Sequence, residues 1–395
     1  LRPVKSRTQS GILIIHPEGN SFNNPTLKSL IDLFVSRGIP VDLRYGVSDA
    51  PMPAGYGGVK LLPYGKFHKF IRAIILENLC FIPLIGLVVA LDNLLLYGSY
   101  RLVLGVDREG LIQAGLLHRM EKTPYVFLSF EIQFGDETSR RFKAPEIKAS
   151  RDVAAWLVQD EVRARLLVDE NKLDPDKKIM LPLASVGHAE PSSLKLRDRL
   201  GIPDEKKVAI TMGSITAWSM AADIIKSATS WPEDWVLIVH DRYGKTSRRL
   251  HGILSVIEPY LNNKIYISDE ASLMVDDLGN ILAGVSAGLA FYRPVWNCQS
   301  SGKNIQYLGL ASGKISTYLR YGIPVIVNEI GLYADEAQKH RFGLVVEDAD
   351  RIGSRLDEID RPSYRENAKR YFRECLDFKL HEEKILDCLK KNKVL

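Results

Sequence analysis

Two hydrophobic periods alternate along the chain. Short unbroken apolar runs such as Gly11–His16, GILIIH, end in turn residues, and the segments between them carry apolar positions at helical spacing. In Thr26–Arg37 the residues Leu27, Leu30, Ile31, Leu33 and Phe34 fall on one helical face, Gly38-Ile39-Pro40 stops the helix, and Val41–Tyr45 predicts the next strand. The same reading predicts strands at Arg101–Val106, Tyr125–Phe130 and Ala155–Gln159. It predicts helices at Gly110–Met120, around Ile147–Ser150 and at Asp160–Glu170. A strand leaves through Leu181-Pro182-Leu183, and a second series follows. Its strands are Lys207–Met212, Val236–His240, Lys264–Ser268, Gly288–Tyr292, Pro324–Asn328 and Gly343–Glu347, with helices in most intervals.

Strands that alternate with helices predict parallel sheets covered on both faces. Two such series of similar length predict an α/β chain of two doubly wound, Rossmann-like domains facing a central cleft. The expected bounds are 1–184 and 185–365, with a C-terminal helix in 366–395 that can pack back on the first domain. Ligands of such sheets bind beyond the carboxyl ends of the strands. The residues just after each strand are therefore the candidates for chemistry.

Composition narrows the picture. The 395 residues are 46% hydrophobic and 26% charged, within the globular range. A net charge of +5 is too weak to argue for nucleic acid, and it suits anionic phosphates or anionic lipid. Cys80, Cys298, Cys375 and Cys388 form no C-x-x-C pair and match no zinc spacing, which reads as reduced thiols in a cytoplasmic protein. The apolar run after the basic start LRPVKSRTQS is too short for a signal peptide. Segment 64–97 complicates this. Lys66, Lys69 and Arg72 interleave with apolar residues before the apolar run Leu79–Leu91, which is shorter than the roughly 20 residues a span requires. Two readings fit: a buried core helix, or a peripheral contact with the inner face of the membrane.

The richest stretch is LGLASGKISTYLRYGIPVIVNE, Leu308–Glu329. Ser312-Gly313-Lys314 opens a helix there. Free N–H groups at a helix start attract anions, glycine lets backbone approach a ligand, and lysine adds a full charge. An ordinary N-cap with a solvated lysine fits the spacing as well. Gly213-Ser214 follows the first strand of the second half and offers a second backbone turn. Asp241-Arg242, Tyr292-Arg293 and Lys303-Asn304 add cations and donors after later strands, and His240 ends a strand. In the first half, Gly19 and Asn20 follow the first strand, Asp107 the next and Glu131 the one after. A carboxylate so placed can serve as a base, or can simply cap a helix. No G-x-G-x-x-G, P-loop or H-E-x-x-H is present, so no metal or cofactor is expected.

These stretches together resemble the GT-B fold glycosyltransferases, notably the large retaining group often called family 4. ASGKISTYLRYGIPVIVNE is similar to their second-domain signature. ITMGSI, VSAGLAFYRP, FGLVVED, RLVLGVDREGLIQAGLL, YVFLSFEIQ and WLVQDEVRARLL resemble further family segments in order along nearly the whole chain. The resemblance implies a nucleotide-diphosphate sugar, UDP- rather than GDP-linked, transferred to a glycan or lipid-linked acceptor in cell-surface polysaccharide or glycoconjugate synthesis. It implies a donor-binding set of Gly213, Ser214, His240, Arg242, Tyr292, Arg293, Lys303, Ser312, Gly313, Lys314 and Thr317. Gly19 and Asn20 would contact the acceptor, with Glu131 or Asp107 catalytic and no metal required. The chain departs from the family pattern in one respect. Counting back from Gly322, the positions of the family's spaced glutamate pair are Thr317 and Gly309, neither acidic. A nucleotide-sugar epimerase or a non-catalytic sugar-nucleotide-binding subunit on the same scaffold are the alternatives.

Overall fold

A computed structural model describes residues 11–17, 21–46, 53–65, 82–96, 98–193, 195–241, 254–270, 272, 274–296 and 300–391. It contains two parallel sheets. The first comprises β1 (Gly11–His16), β2 (Val41–Tyr45), β3 (Val59–Pro63), β4 (Tyr100–Val106), β5 (Tyr125–Leu128), β6 (Ala155–Val158) and β7 (Lys178–Met180), in the order β3-β2-β1-β4-β5-β6-β7. The second comprises β8 (Lys207–Met212), β9 (Trp235–His240), β10 (Ile265–Ser268), β11 (Ala287–Ala290), β12 (Val325–Asn328) and β13 (Gly343–Val346), in the order β10-β9-β8-β11-β12-β13. The longer helices are α1 (Pro25–Ser36), α2 (Ile82–Leu95), α3 (Asp107–Glu121), α4 (Arg140–Ser150), α5 (Glu161–Asn171), α6 (Ala221–Ser227), α7 (Gly313–Arg320), α8 (Gly331–His340), α9 (Pro362–Tyr371) and α10 (Glu382–Lys391).

Each sheet reverses its strand order once, between β1 and β4 and between β8 and β11. Those reversals open the crevices in which ligands of doubly wound sheets lie. Inner strands such as β5, β6 and β11 are apolar and buried throughout because helices cover both faces. Ile12 and Ile14 enter one core while Leu13 and Ile15 enter the other, and all four are fully buried.

The chain passes between the domains twice. Leu181 lies in the first core and Ala184 in the second, so the chain leaves β7 and crosses between the domains at 181–184. Ala368, Tyr371, Phe372 and Leu376 remain in the second core. Phe378 and, on α10, Ile385, Leu386 and Leu389 lie in the first. The return therefore begins later than 366. The two crossings bond to each other: Phe378 N donates to Ser185 O at 3.2 Å, and Gly187 N to the Asp377 carboxylate at 2.9 Å.

Two features of the first domain differ from expectation. Edge strand β3 was not legible, because VKLLP is short, half exposed and without alternation. Helix α2 is buried on one face only. Ile85, Val88, Val89 and Asp92 are buried, whereas Leu87, Leu91, Leu94 and Leu95 are 43–73% exposed. Arg44 fixes the inner face with a bidentate pair to Asp92 at 2.8–2.9 Å, and its guanidinium stacks on Tyr64 at 4.1 Å. Most of the remaining 64–97 segment, with Arg242, Gly19, Asn20, Cys80 and Cys298, lies outside the described residues.

Candidate active site

The carboxyl ends of both sheets meet at one cleft of about 280 Å³. Its second-domain wall is built around the start of α7. Ser312 caps the helix by accepting from Ile315 N at 3.2 Å, and its hydroxyl meets the Tyr292 hydroxyl at 2.5 Å. The helix can sit this close to the sheet because β11 offers Gly288. A Cβ there would fall 2.4 Å from the Tyr318 ring, and the Tyr318 hydroxyl donates to Ile210 O at 3.1 Å.

Beside this helix start, Gly213 turns the chain after β8 with φ at 97°, a conformation that favours glycine. A Cβ on Gly213 would lie 3.8 Å from Cε of Lys314, so the two loops adjoin. The Lys314 ammonium sits over the Tyr292 ring at 5.6 Å from its centroid. Tyr292 in turn stacks on Trp218, with centroids 6.1 Å apart and an 8° interplanar angle. An aromatic shelf thus carries the cation next to the start of α7, where the first N–H groups of a helix have no partner within it. That is a receptacle for an anion.

The first-domain wall includes Asn23, Asn24, Pro25, Phe130 and Glu131. Glu131 follows β5, half buried and facing the Gly213–Lys314 side. Burial pushes its carboxyl up, while Arg163 and a hydrogen bond with Ser300 oppose the shift. Asp107 stands one layer below and does not line the cleft. Its Oδ1 accepts from Phe130 N at 2.6 Å and Glu131 N at 2.9 Å, so it shapes the turn that carries Glu131. Burial first, and the Glu131 charge second, push Asp107 up to about 8. Arg163 is fully buried beneath both carboxylates, and burial pulls its guanidinium down to about 10.

Gly213, Ser214, Tyr292, Ser312, Gly313, Lys314 and Glu131 thus share one cleft. Other candidates lie elsewhere. His240 is buried against Ser268, with Nδ1 3.1 Å from the hydroxyl. Thr317 lies inside α7 and donates to Gly313 O at 2.7 Å. Lys303 pairs with Asp136 across the domain junction. Arg293 pairs with Asp223 of α6 at 3.1 Å and lines a neighbouring cavity of about 430 Å³ with Asn328, Glu329 and Glu347. Asn304, noted in the sequence beside Lys303, also lines the central cleft, and Trp218, Ser300, Ser301 and the Asn23–Asn24 pair do so without having stood out as site residues. Arg163 too was invisible in the sequence, because WLVQDEVRARLL gives no sign of which arginine turns inward.

Gly309 explains the departure from the glutamate pattern. Its φ is 56°, and a Cβ on it would fall 1.8 Å from Oδ2 of Asp160. That oxygen accepts from Leu310 N at 2.8 Å, and Oδ1 caps α5 by accepting from Arg163 N at 2.9 Å. A first-domain carboxylate thus fills the space where a side chain at 309 would begin.

Residues 259–374 match the family model of the glucosyltransferase 3-like C-terminal domain. No curated protein sequence matches the chain. Among solved structures, HepE of Anabaena, crystallised with UDP-glucose, superposes with a TM-score of 0.69 at 13% identity, covering 96% of this chain and 99% of its own. The sucrose-phosphate synthase of Thermosynechococcus elongatus gives 0.70 at 11% identity, with 97% and 99% covered. WaaG, a glycosyltransferase involved in lipopolysaccharide biosynthesis, gives 0.59 at 14% identity, with 95% and 98% covered. The fold is that of the GT-B glycosyltransferases, over both domains and the junction between them.

Proposed function

We propose that the protein is a glycosyltransferase that moves a sugar from a nucleotide diphosphate, UDP in the first instance, to a hydroxyl of a glycan or lipid-linked acceptor in cell-surface polysaccharide or glycoconjugate synthesis. One observation carries the reading. The amide-rich start of α7, Lys314 and the Gly213–Ser214 turn face the Glu131 carboxylate across a single cleft at the strand-order reversals of both sheets. The UDP and UDP-glucose complexes of HepE and the match to a glucosyltransferase-like C-terminal domain support it.

The chemistry follows from the geometry. The bond from the sugar's anomeric carbon to the diphosphate breaks, and its electron pair leaves with the diphosphate. Lys314 and the α7 amides stabilise the charge that develops there. The acceptor hydroxyl oxygen forms the new bond to the anomeric carbon. If the reaction inverts configuration, Glu131 takes the hydroxyl proton, and burial, by raising its carboxyl, makes it a stronger base than a solvated one. If it retains configuration, the donor-side groups carry most of the work. The exposed leucine face of α2 supports a peripheral contact with lipid, which would bring the cleft near a lipid-linked acceptor. Among the described residues no helix is long and apolar enough to cross a membrane.

A thermal-shift comparison of UDP, GDP, UDP-glucose and UDP-GlcNAc tests the donor, because a ligand of the native state raises Tm. UDP compounds should raise it and GDP should not. Lys314→Ala should lower turnover by about 2–4 kcal/mol of transition-state stabilisation, roughly 30- to 1000-fold. Unchanged donor binding and turnover in that variant would remove Lys314 from the phosphate site. Formation of a new UDP-sugar isomer without acceptor would replace transfer by epimerisation.

A further inference from the structure

The turn that carries Glu131 belongs to the first domain, yet much of what holds it belongs to the second. Asn304, on the short helical turn Lys303–Gln306, is buried, and its Oδ1 accepts from Ile132 N at 2.9 Å. The same oxygen accepts from Arg163 Nη2 at 3.2 Å, and Nδ2 donates to Ser300 O at 3.1 Å. Arg163 donates to Phe130 O at 2.7 Å and to Tyr307 O at 2.9 Å, bridging the turn to the second domain. Gln133 Nε2 donates to the Ser300 hydroxyl at 2.6 Å, and Ser300 and Glu131 both line the cleft.

The contact continues along the chain. Lys303 N donates to Glu137 at 2.8 Å, and Leu310 N donates to Asp160 at 2.8 Å. Segment 300–310 is therefore stitched to the first domain mainly by hydrogen bonds, which water can replace when two domains part. The same segment supplies Ser300, Ser301, Asn304, Ile305 and Leu308 to the cleft.

We propose that segment 300–310 is a latch that makes the placement of Glu131 conditional on closure of the two domains, with Asn304 as its positioning residue. Opening the junction removes Asn304 from Ile132 N and Ser300 from the Gln133 amide together. The Asp107 bonds remain, but they fix only one side of the turn. Closure around a donor restores the second side. The free protein samples the closed form and a donor makes it dominant, so the carboxylate is fully positioned only when a donor is in place. This inference rests on the transferase reading for its purpose, though not for its geometry.

The experiment combines hydrogen exchange with turnover in the full chain. In free wild-type protein and the Asn304→Ala variant, exchange at the Ile132 amide should be faster in the variant, with the amides of β1 unchanged. Equal exchange overturns the clamp. Saturating UDP should slow exchange at residues 130–132 in wild type and not in Asn304→Ala. Asn304→Asp, which keeps the accepting oxygen, should retain that protection. With UDP-glucose, kcat for hydrolysis should fall on the order of 100-fold in Asn304→Ala, while the Kd for UDP changes less than about threefold. A Kd weakened as much as kcat, or UDP protection that persists in Asn304→Ala, overturns the positioning role. Wild type that neither binds UDP nor hydrolyses UDP-glucose defeats the transferase reading instead, and the exchange of the free proteins still decides the clamp.

Discussion

Gly309 offers the sharpest physical test of the domain junction. Replacing it with alanine adds one methyl group in a left-handed conformation, at 1.8 Å from the Asp160 carboxylate. The conformation alone costs an L residue about 1–2 kcal/mol. The overlap cannot be relieved by a flexible tip, because Asp160 is a short side chain bonded at both oxygens. Moving it forfeits the bond to Leu310 N, about 1.5–3 kcal/mol for a charged acceptor. It also weakens the α5 cap, worth about 1 kcal/mol. The sum is about 3.5–6 kcal/mol, a large share of a typical folding stability. Gly38→Ala is the matched control, since its φ is 69° and nothing stands within 4 Å of the new methyl. It should cost only the conformational part. Denaturant unfolding, monitored by tryptophan fluorescence, measures both. In an Asp160→Ala background the Gly309→Ala penalty should shrink towards that of Gly38→Ala, since the clash is gone. Equal penalties for Gly309→Ala and Gly38→Ala in the wild-type background would refute the reasoning, and with it the account of why no glutamate stands at 309.

Two further outcomes follow from the first domain. Asp107 protonates from 3.8 when unfolded and from about 8 when folded, so between those values the native state holds the proton more tightly and loses stability as pH rises. Asp107→Asn lacks that ionisation. Its Tm relative to wild type should therefore climb as pH is raised from about 5 to about 8, and a pH-independent difference would show that the buried carboxyl is not raised. On α2, replacing Leu91 and Leu95 by serine should abolish co-sedimentation with vesicles containing anionic phospholipid while leaving Tm nearly unchanged, because both side chains are largely exposed. Unaltered sedimentation would exclude that face as the lipid contact.

The periodicity of the chain determined most strands of the doubly wound sheets, though not edge strand β3, since an apolar run of strand length bounded by turn residues has few other uses in a parallel sheet. The rule that ligands gather beyond strand ends pointed to Gly213, and the small-residue helix start with its lysine pointed to Ser312 and Lys314. These positions depend on local backbone order, and local order is written in sequence. The return of the chain to the first core at Phe378 depended on packing between distant segments. So did the sinking of Asp107 beneath Glu131 and the burial of Arg163 rather than Arg165. The Asp160 carboxylate in the space beside Gly309 joins residues far apart in sequence, and the Asn304 bond to Ile132 N does the same. Such pairings exist only once both sheets have closed on each other. Side-chain chemistry and spacing carry the inventory of groups, while the tertiary fold decides which of them meet, because contact distance has no counterpart along the chain.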